Sequence, residues 1–255
     1  MTVFTCEKQI ESMFTCIYVA WEWALVHGHD QIRLETEPIA QYTLFDQYHH
    51  VERDVEKAEK VSRSIRQKIS GEAYVNIHYA CFAREDMLHV MYQYLRIGFR
   101  VGKQVNQMLT EPTVMQMMEI RRKMGNEIHY WEEFLRFSSV DGKVYVSHFE
   151  PKNNVITYVA THFADRMPSE YWMIIDDTRG IAAVHPVEGE WYMVTLTEEE
   201  QERLKETESY QDEFSHMWKT FFDTIGIKQR KNERCQTNMF PIWMRKHATE
   251  FQLKE

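Results

Sequence analysis

The sequence predicts an α+β fold in which a helical N-terminal half is followed by an antiparallel sheet with packed helices. Three observations carry that expectation. Apolar residues recur at spacings of three and four through the first half, the mark of helices with one buried face. After Glu133 the apolar period shifts to two, the mark of half-buried strands. Short apolar runs in the second half are then divided by Gly- and Asp-containing turns.

Taken in order, residues 2–6 and 32–36 read as short strands, and 7–26 between them as a mostly buried helix. Val51, Val55, Ala58, Val61, Ile65 and Ile69 alternate with charged residues and predict an amphipathic helix. Helical segments are expected at 72–81, 84–98 and 99–109, and Pro112 suits the first turn of the next helix. Met117, Ile120, Met124, Ile128, Trp131 and Leu135 give that helix its apolar stripe. The expected division falls there, with 1–111 mainly helical and 112–255 α+β.

In the second half, FLRFSSV and KVYVSHF flank Asp141-Gly142, a pair suited to the positive φ angles of a type I′ hairpin turn. Pro151-Lys-Asn-Asn opens a helix through Arg166, with Asn153 or Asn154 as its cap. WMIID, IAAVH and EWYMV follow as strands, so 135–140, 143–149, 171–176, 181–185 and 190–195 are expected in one antiparallel sheet. A lone hairpin is marginal in water and needs such company. A long acidic helix from Thr197 to Phe222 and a basic tail complete the chain.

Composition limits the function classes. Hydrophobic residues make up 44% and aromatics 13%, enough for a sizeable core, and only 9 Gly and 6 Pro argue against a long linker. Four cysteines without a CxxC pair suggest no disulfide framework and fit a reducing compartment. The N-terminal MTVFTCEKQIES has neither a basic nor an apolar leader region, and the apolar run from Met13 to Val26 is short and carries Glu22. A cytoplasmic protein without a membrane span is expected. There is no P-loop, GxGxxG, GxSxG or HExxH, and no deaminase-type zinc signature. His27 with His29, and His49 with His50, lack the further ligands of a recognisable metal site. The net charge of −9 opposes indiscriminate binding to nucleic acid, yet Gly226–His247 is locally basic.

Three groups of residues are candidates for chemistry. His162 and Arg166 share a helix face, and alternation puts Trp172, Ile174 and Asp176 on one sheet face. His162, Arg166 and Asp176 could thus converge, Arg166 to clamp an anion and His162 to act as acid or base. A structural Arg–Asp pair and a hydrogen-bonded helix-end histidine fit the same spacing. Glu127, His129 and Arg136 near the end of the long helix form a second group. There, Arg122, Asn126, His129, Glu133 and Arg136 also fit a solvated, ion-paired stripe. Third, Lys228, Arg230, Lys231, Asn232, Arg234 and Arg245 could contact phosphates, with Phe240 and Trp243 stacking bases or packing inward. The same cations could instead answer the acidic helix.

Glu127–Phe137 reads E-x-H-x-x-x-x-F-x-R-F, followed by H-F-x-x-R, W-x-I-x-D and W-K-x-F-F…I-x-x-R-x-N-x-x-x-Q-x-x-M-x-x-x-W at Trp218–Trp243. Together these resemble a bacterial family described as DNA-metabolism or DNA-repair proteins with a C-terminal domain of unknown function. The resemblance covers 112–251 well and 42–111 more loosely. At the first helix the chain departs from it, with Cys6-Glu7-Lys8 where the family has an Asp-Gly turn. The resemblance implies a DNA-repair-associated protein whose partner is a radical-SAM enzyme encoded beside it, or one working with a glycosylase-like activity. It adds weight to Glu127, His129, His162, Arg166 and Asp176. Two other classes stay open: a catalytically inert scaffold module, and a small hydrolase or transferase using His162, Arg166 and Asp176. Convergence of the polar groups in one pocket would separate them. The residues point to no particular cofactor.

Overall fold

The computed structural model describes residues 1–208, 213–225, 227 and 232–252. It divides into two compact units, Met1–Gly125 and Asn126–Glu255, and the division falls inside one long helix.

The first unit is built on a three-stranded parallel sheet of order β2-β1-β3, where β1 is Thr2–Glu7, β2 Ile32–Glu37 and β3 Gln47–His50. Helix α1 (Ile10–His27) carries the chain from β1 back to the start of β2, and such a helical crossover makes the strands parallel. Val3, Phe4, Thr5 and Cys6 of the central strand are all buried, as in a sheet covered on both faces. β3 was not expected, because QYHH is polar and gives no strand pattern. Helices α2 (Val55–Lys68), α3 (Gly71–Phe82) and α4 (Leu88–Val101) follow. Asp54 and Ser70 cap α2 and α3 by accepting from Lys57 N (3.1 Å) and Ala73 N (3.0 Å). The segment 99–109, expected as a helix, splits at Gly102 (φ 62°) into the end of α4 and a 3-10 stretch over Gly102–Gln107.

Helix α5 (Pro112–Phe134) begins with Pro112 as its spacing predicts, and its stripe of Met117, Ile120, Met124, Ile128, Trp131 and Leu135 is buried. The second unit holds a five-stranded sheet of order β4-β5-β6-β7-β8, with β4 Ser138–Val140, β5 Val144–Phe149, β6 Trp172–Asp176, β7 Ile181–His185 and β8 Tyr192–Thr195. The β4–β5 hairpin turns at Asp141 (φ 53°) and Gly142 (φ 65°), both left-handed as a type I′ turn requires. All expected strands share this sheet, but it is mixed rather than antiparallel. β5 and β6 are parallel, because helix α6 (Ile156–Arg166) lies between them and returns the chain to the same end. α6 also starts later than expected. Its N-cap position is Val155, without a side-chain cap, because Asn153 is engaged elsewhere.

One sheet face packs Val146, Ile175 and Ala182 against Leu204 of helix α7 (Glu198–Glu208). The other buries Phe149, Trp172, Ile174 and Ala183, with Trp131 of α5 edge-on to Phe149 at 5.1 Å. The expected acidic helix is represented by α7 and α8 (Glu213–Ile225). Helix α9 (Glu233–Met239), a 3-10 turn at Ile242–His247 and α10 (Thr249–Gln252) end the described chain. Phe240 is stacked on Phe134 at 4.0 Å.

At the carboxyl ends of the first unit's outer strands, His50 Nδ1 lies 2.8 Å from Glu37 Oε1. The hydrogen bond to Glu37 raises the imidazole above its ordinary pKa, and the same bond holds Glu37 below the usual carboxylate range. The His50 contribution is complete below about pH 6.5 and is lost as pH rises through its raised pKa. The Glu37 contribution is complete above about pH 4.3 and is lost as pH falls through its lowered pKa. The pair therefore stabilises the unit chiefly between those limits. An NMR titration should give His50 a midpoint above that measured in Glu37→Gln, and equal midpoints would show the contact is absent in solution.

Candidate functional site

The polar groups of the second unit gather around the loop that leaves β5. Glu127, on the core side of α5, is 6% exposed. Its carboxylate accepts from Lys152 N at 2.6 Å, from Asn153 N at 3.2 Å and from the Asn153 side-chain amide. The carbonyls of the same loop are taken from another direction. Arg179 donates to Pro151 O at 3.1 Å and to Lys152 O at 2.9 Å. Asp176 at the end of β6 holds Arg179 in place, Oδ2 accepting from Nη1 at 2.8 Å. Its Oδ1 accepts from Thr178 N at 3.0 Å and Arg179 N at 3.1 Å. Sequence alternation places Asp176 on the face of Trp172 and Ile174, and all three are buried.

Burial raises the Asp176 pKa, outweighing the Arg179 charge and hydrogen bonds that pull it down. A carboxyl so enclosed, with both oxygens engaged by its own turn, is poorly placed to exchange protons with a substrate.

The expected convergence of His162, Arg166 and Asp176 does not form. The guanidinium beside Asp176 is that of Arg179, three residues on in the turn, where the chain doubles back against the carboxylate. Arg166 is exposed and makes no ion pair among the described residues. His162 is half-buried, and its Nδ1 lies 3.9 Å from Glu132 Oε1. His129 is exposed and pairs with Glu133 one turn on, at 3.1 Å, as a solvated helix face does. Arg136 pairs with buried Glu250 at 2.9 Å, and Glu250 also accepts from Trp218 Nε1 at 3.1 Å.

Of the candidate phosphate contacts, Lys228, Arg230 and Lys231 lie outside the described residues. Asn232 caps α9 by accepting from Cys235 N at 3.0 Å, and Arg234 is exposed. Arg245 is turned inward, donating to Phe240 O at 3.1 Å and lying 4.9 Å from the Phe251 ring. Trp243 meets Trp131 edge-on at 5.6 Å, with Lys152 Nζ over its ring at 4.5 Å.

Sequence reasoning passed over Arg179 and the pairing of buried His148 with half-buried Asp177, and gave Asn153 only as a candidate helix cap. His148 Nδ1 is 3.1 Å from both oxygens of Asp177. His148 is two residues beyond Val146 and so lies on the α7-covered face, whereas Ser147 points to the opposite one. A signal for Arg179 was present in D-D-T-R-G, where an Asp and an Arg three apart precede a glycine that takes φ 62°.

Residues 85–250 match DUF4130, a domain of unknown function, and the match spans well over half of the chain. The chain belongs to the DUF4130 family. The Glu127–Asp176–Arg179 cluster lies wholly within the matched DUF4130 region. No curated protein is significantly similar to the chain. No helix among the described residues is long and apolar enough to cross a membrane.

The two arginines make opposite predictions. Arg179→Ala removes the partner of a buried carboxylate and should cost about 3 kcal/mol near neutral pH, the lower end for breaking a buried pair because Arg179 keeps some exposure. Arg166→Ala should stay within about 0.5 kcal/mol of wild type. With its folded pKa raised, Asp176 contributes most to stability below about pH 4, and less as pH rises through that raised value. The Arg179→Ala deficit should therefore shrink on acidification. Urea denaturation at several pH values reads both effects, and equal deficits for the two variants would refute the clamp that Glu127, Asp176 and Arg179 form on residues 151–153.

Proposed function

We propose that this DUF4130 protein is a cytoplasmic DNA-metabolism protein that acts as a binding partner of a radical-SAM enzyme rather than as a catalyst. The observation that carries the reading is the use made of the buried ionisable groups. Glu127, Asp176 and Arg179 are engaged with the backbone of residues 151–153 and of the 176–179 turn. General acid–base chemistry needs a group within reach of a substrate, and these are held for the fold. That favours the scaffold class over a hydrolase or transferase built on His162, Arg166 and Asp176.

The DNA and radical-SAM elements of the proposal come from the resemblance at Glu127–Phe137, His162–Arg166, Trp172–Asp176 and Trp218–Trp243. Three buried free cysteines, Cys6, Cys16 and Cys81, suit a reducing compartment. A glycosylase-like activity, in this reading, belongs to a partner or a fused domain.

The test is co-expression of the tagged chain with a radical-SAM protein of the kind the resemblance implies as its neighbour. The expected outcome is retention of the two in about equal amounts through affinity and size-exclusion steps. His162→Ala/Arg166→Ala, which leaves the clamp intact, should be retained equally well. Turnover of a uracil-containing or abasic oligonucleotide by the isolated chain, abolished in that double variant, would replace the scaffold reading with the enzymatic one.

A further inference from the structure

The first unit contains a groove that neither the clamp nor the family resemblance accounts for. It has a volume of about 520 Å³, within the range of roughly 300–1,000 Å³ typical of ligand pockets. Tyr18, Trp21 and Leu25 line it from α1, Lys60 and Lys68 from α2, and Phe99 from α4. The walls follow helical spacing. Residues 18, 21 and 25 share one face of α1, and 60, 64 and 68 one face of α2.

The aromatic wall is accessible. Trp21 makes edge contacts with His29, Tyr92 and Phe99 at 5.0, 5.5 and 5.3 Å, none of them stacked, and is half-buried. Leu25 is 73% exposed. The opposite wall is cationic. Helix α2 carries Lys57, Lys60, Arg63, Arg66 and Lys68 against Glu56 and Glu59. Lys57 and Lys60 sit over the Tyr18 ring at 5.7 and 6.0 Å. Neither Lys60 nor Lys68 forms an ion pair among the described residues, and Glu22 is the one acid in the lining.

The surroundings tolerate a polyanion. Residues 1–125 carry 15 Lys and Arg against 16 Asp and Glu, whereas 126–255 carry 15 against 23, so the chain's negative charge resides almost wholly in the second unit. Lys60 and Lys68 are eight residues apart, about 12 Å along the helix, too far for one phosphate to bridge. Cations spaced along one wall and aromatic rings along the other are the arrangement that holds a single strand by phosphate neutralisation and base stacking.

We propose that this groove binds single-stranded DNA, bases against Tyr18, Trp21 and Phe99 and successive phosphates against Lys60 and Lys68. The assignment deepens the DNA reading above and supplies the strand contact that the basic tail was expected to make.

The probe is a fluorescein-labelled twelve-nucleotide oligo(dT), titrated with the full chain and followed by anisotropy between 50 and 200 mM NaCl. Binding should weaken as salt rises. Lys60→Glu/Lys68→Glu, at two exposed positions where folding is not at stake, should lower affinity at least tenfold at 50 mM NaCl. It should also reduce the slope of log K against log salt by about 1.4, or about 0.7 for each lost phosphate contact. Trp21→Leu, checked for folding by circular dichroism, should lower affinity roughly tenfold with the slope unchanged. Thymidine monophosphate should compete poorly, since it offers one phosphate to two separated lysines.

Wild-type affinity in the lysine double variant would place the strand elsewhere, overturning the groove while sparing the DNA reading. No wild-type binding at 50 mM NaCl, alongside retention of the radical-SAM partner, would overturn the groove and leave the partner reading standing. Displacement of the oligonucleotide by poly-glutamate as effectively as by unlabelled oligo(dT) would assign the groove to an acidic protein segment and also overturn it.

Discussion

The second unit depends on how the backbone leaves β5. Residues 151–153 connect a buried strand to α6, and buried N–H and C=O groups must find partners. Glu127 takes the N–H groups of Lys152 and Asn153, and Arg179 donates to the carbonyls of Pro151 and Lys152. Asp176 fixes Arg179 and terminates β6 by accepting from its own turn. An unpaired charge in such a place would cost several kcal/mol, so Asp176 depends on Arg179 and Glu127 depends on the loop it holds. The helix α6 crossover that makes β5 and β6 parallel thus leaves β5 through a loop held by hydrogen bonds from both sides.

That constraint explains why the second half of the chain suggests an active site when read as a sequence. Carboxylates, arginines and histidines interspersed among apolar strands are the raw material of catalysis and also of a buried clamp. What separates the two is whether a lone pair or proton is left for a substrate. At Asp176 the oxygens face the turn and Arg179, and at Glu127 they face the loop, so the chemistry turns inward. His129 with Glu133 and Arg136 with Glu250 likewise satisfy each other, one pair in solvent and the other against Trp218.

How legible each feature was in the sequence followed the range of the interaction that makes it. The Asp141-Gly142 hairpin, Pro112 at the start of α5, and the buried stripe from Met117 to Leu135 are set by local chemistry and could be read directly. Alternation also put Asp176 on the correct face of its strand. It could not say which arginine would meet it. Arg166 lies on a helix and its direction depends on packing, whereas Arg179 is brought to the carboxylate by a turn only three residues long. The mixed sheet was missed although its sign was present. Strand direction is decided by what lies between β5 and β6, and the presence of α6 there was an available but unused sign of a parallel crossover. β3 left no trace, since Gln47–His50 is polar and is ordered by pairing with β1.

Charge and family coverage point to a division of labour along the chain. The DUF4130 match starts at residue 85, so it takes in the Glu127–Asp176–Arg179 clamp together with Phe99, but not Tyr18, Trp21, Lys60 or Lys68. The acidic excess lies in the second unit, where Arg136, Arg179 and Lys205 are each bound to a carboxylate. Cations without such partners occur on α2, beside the aromatic rings of α1, ahead of the matched region. A polyanion approaching the chain meets repulsion at the second unit and near-neutrality with a local cationic wall at the first, and at physiological salt such fields act over only about 8 Å. Over that range local arrangement outweighs the total of −9. The cations of the proposed groove thus precede the match, while within the DUF4130 region the buried Glu127, Asp176 and Arg179 are committed to the chain's own backbone and to each other.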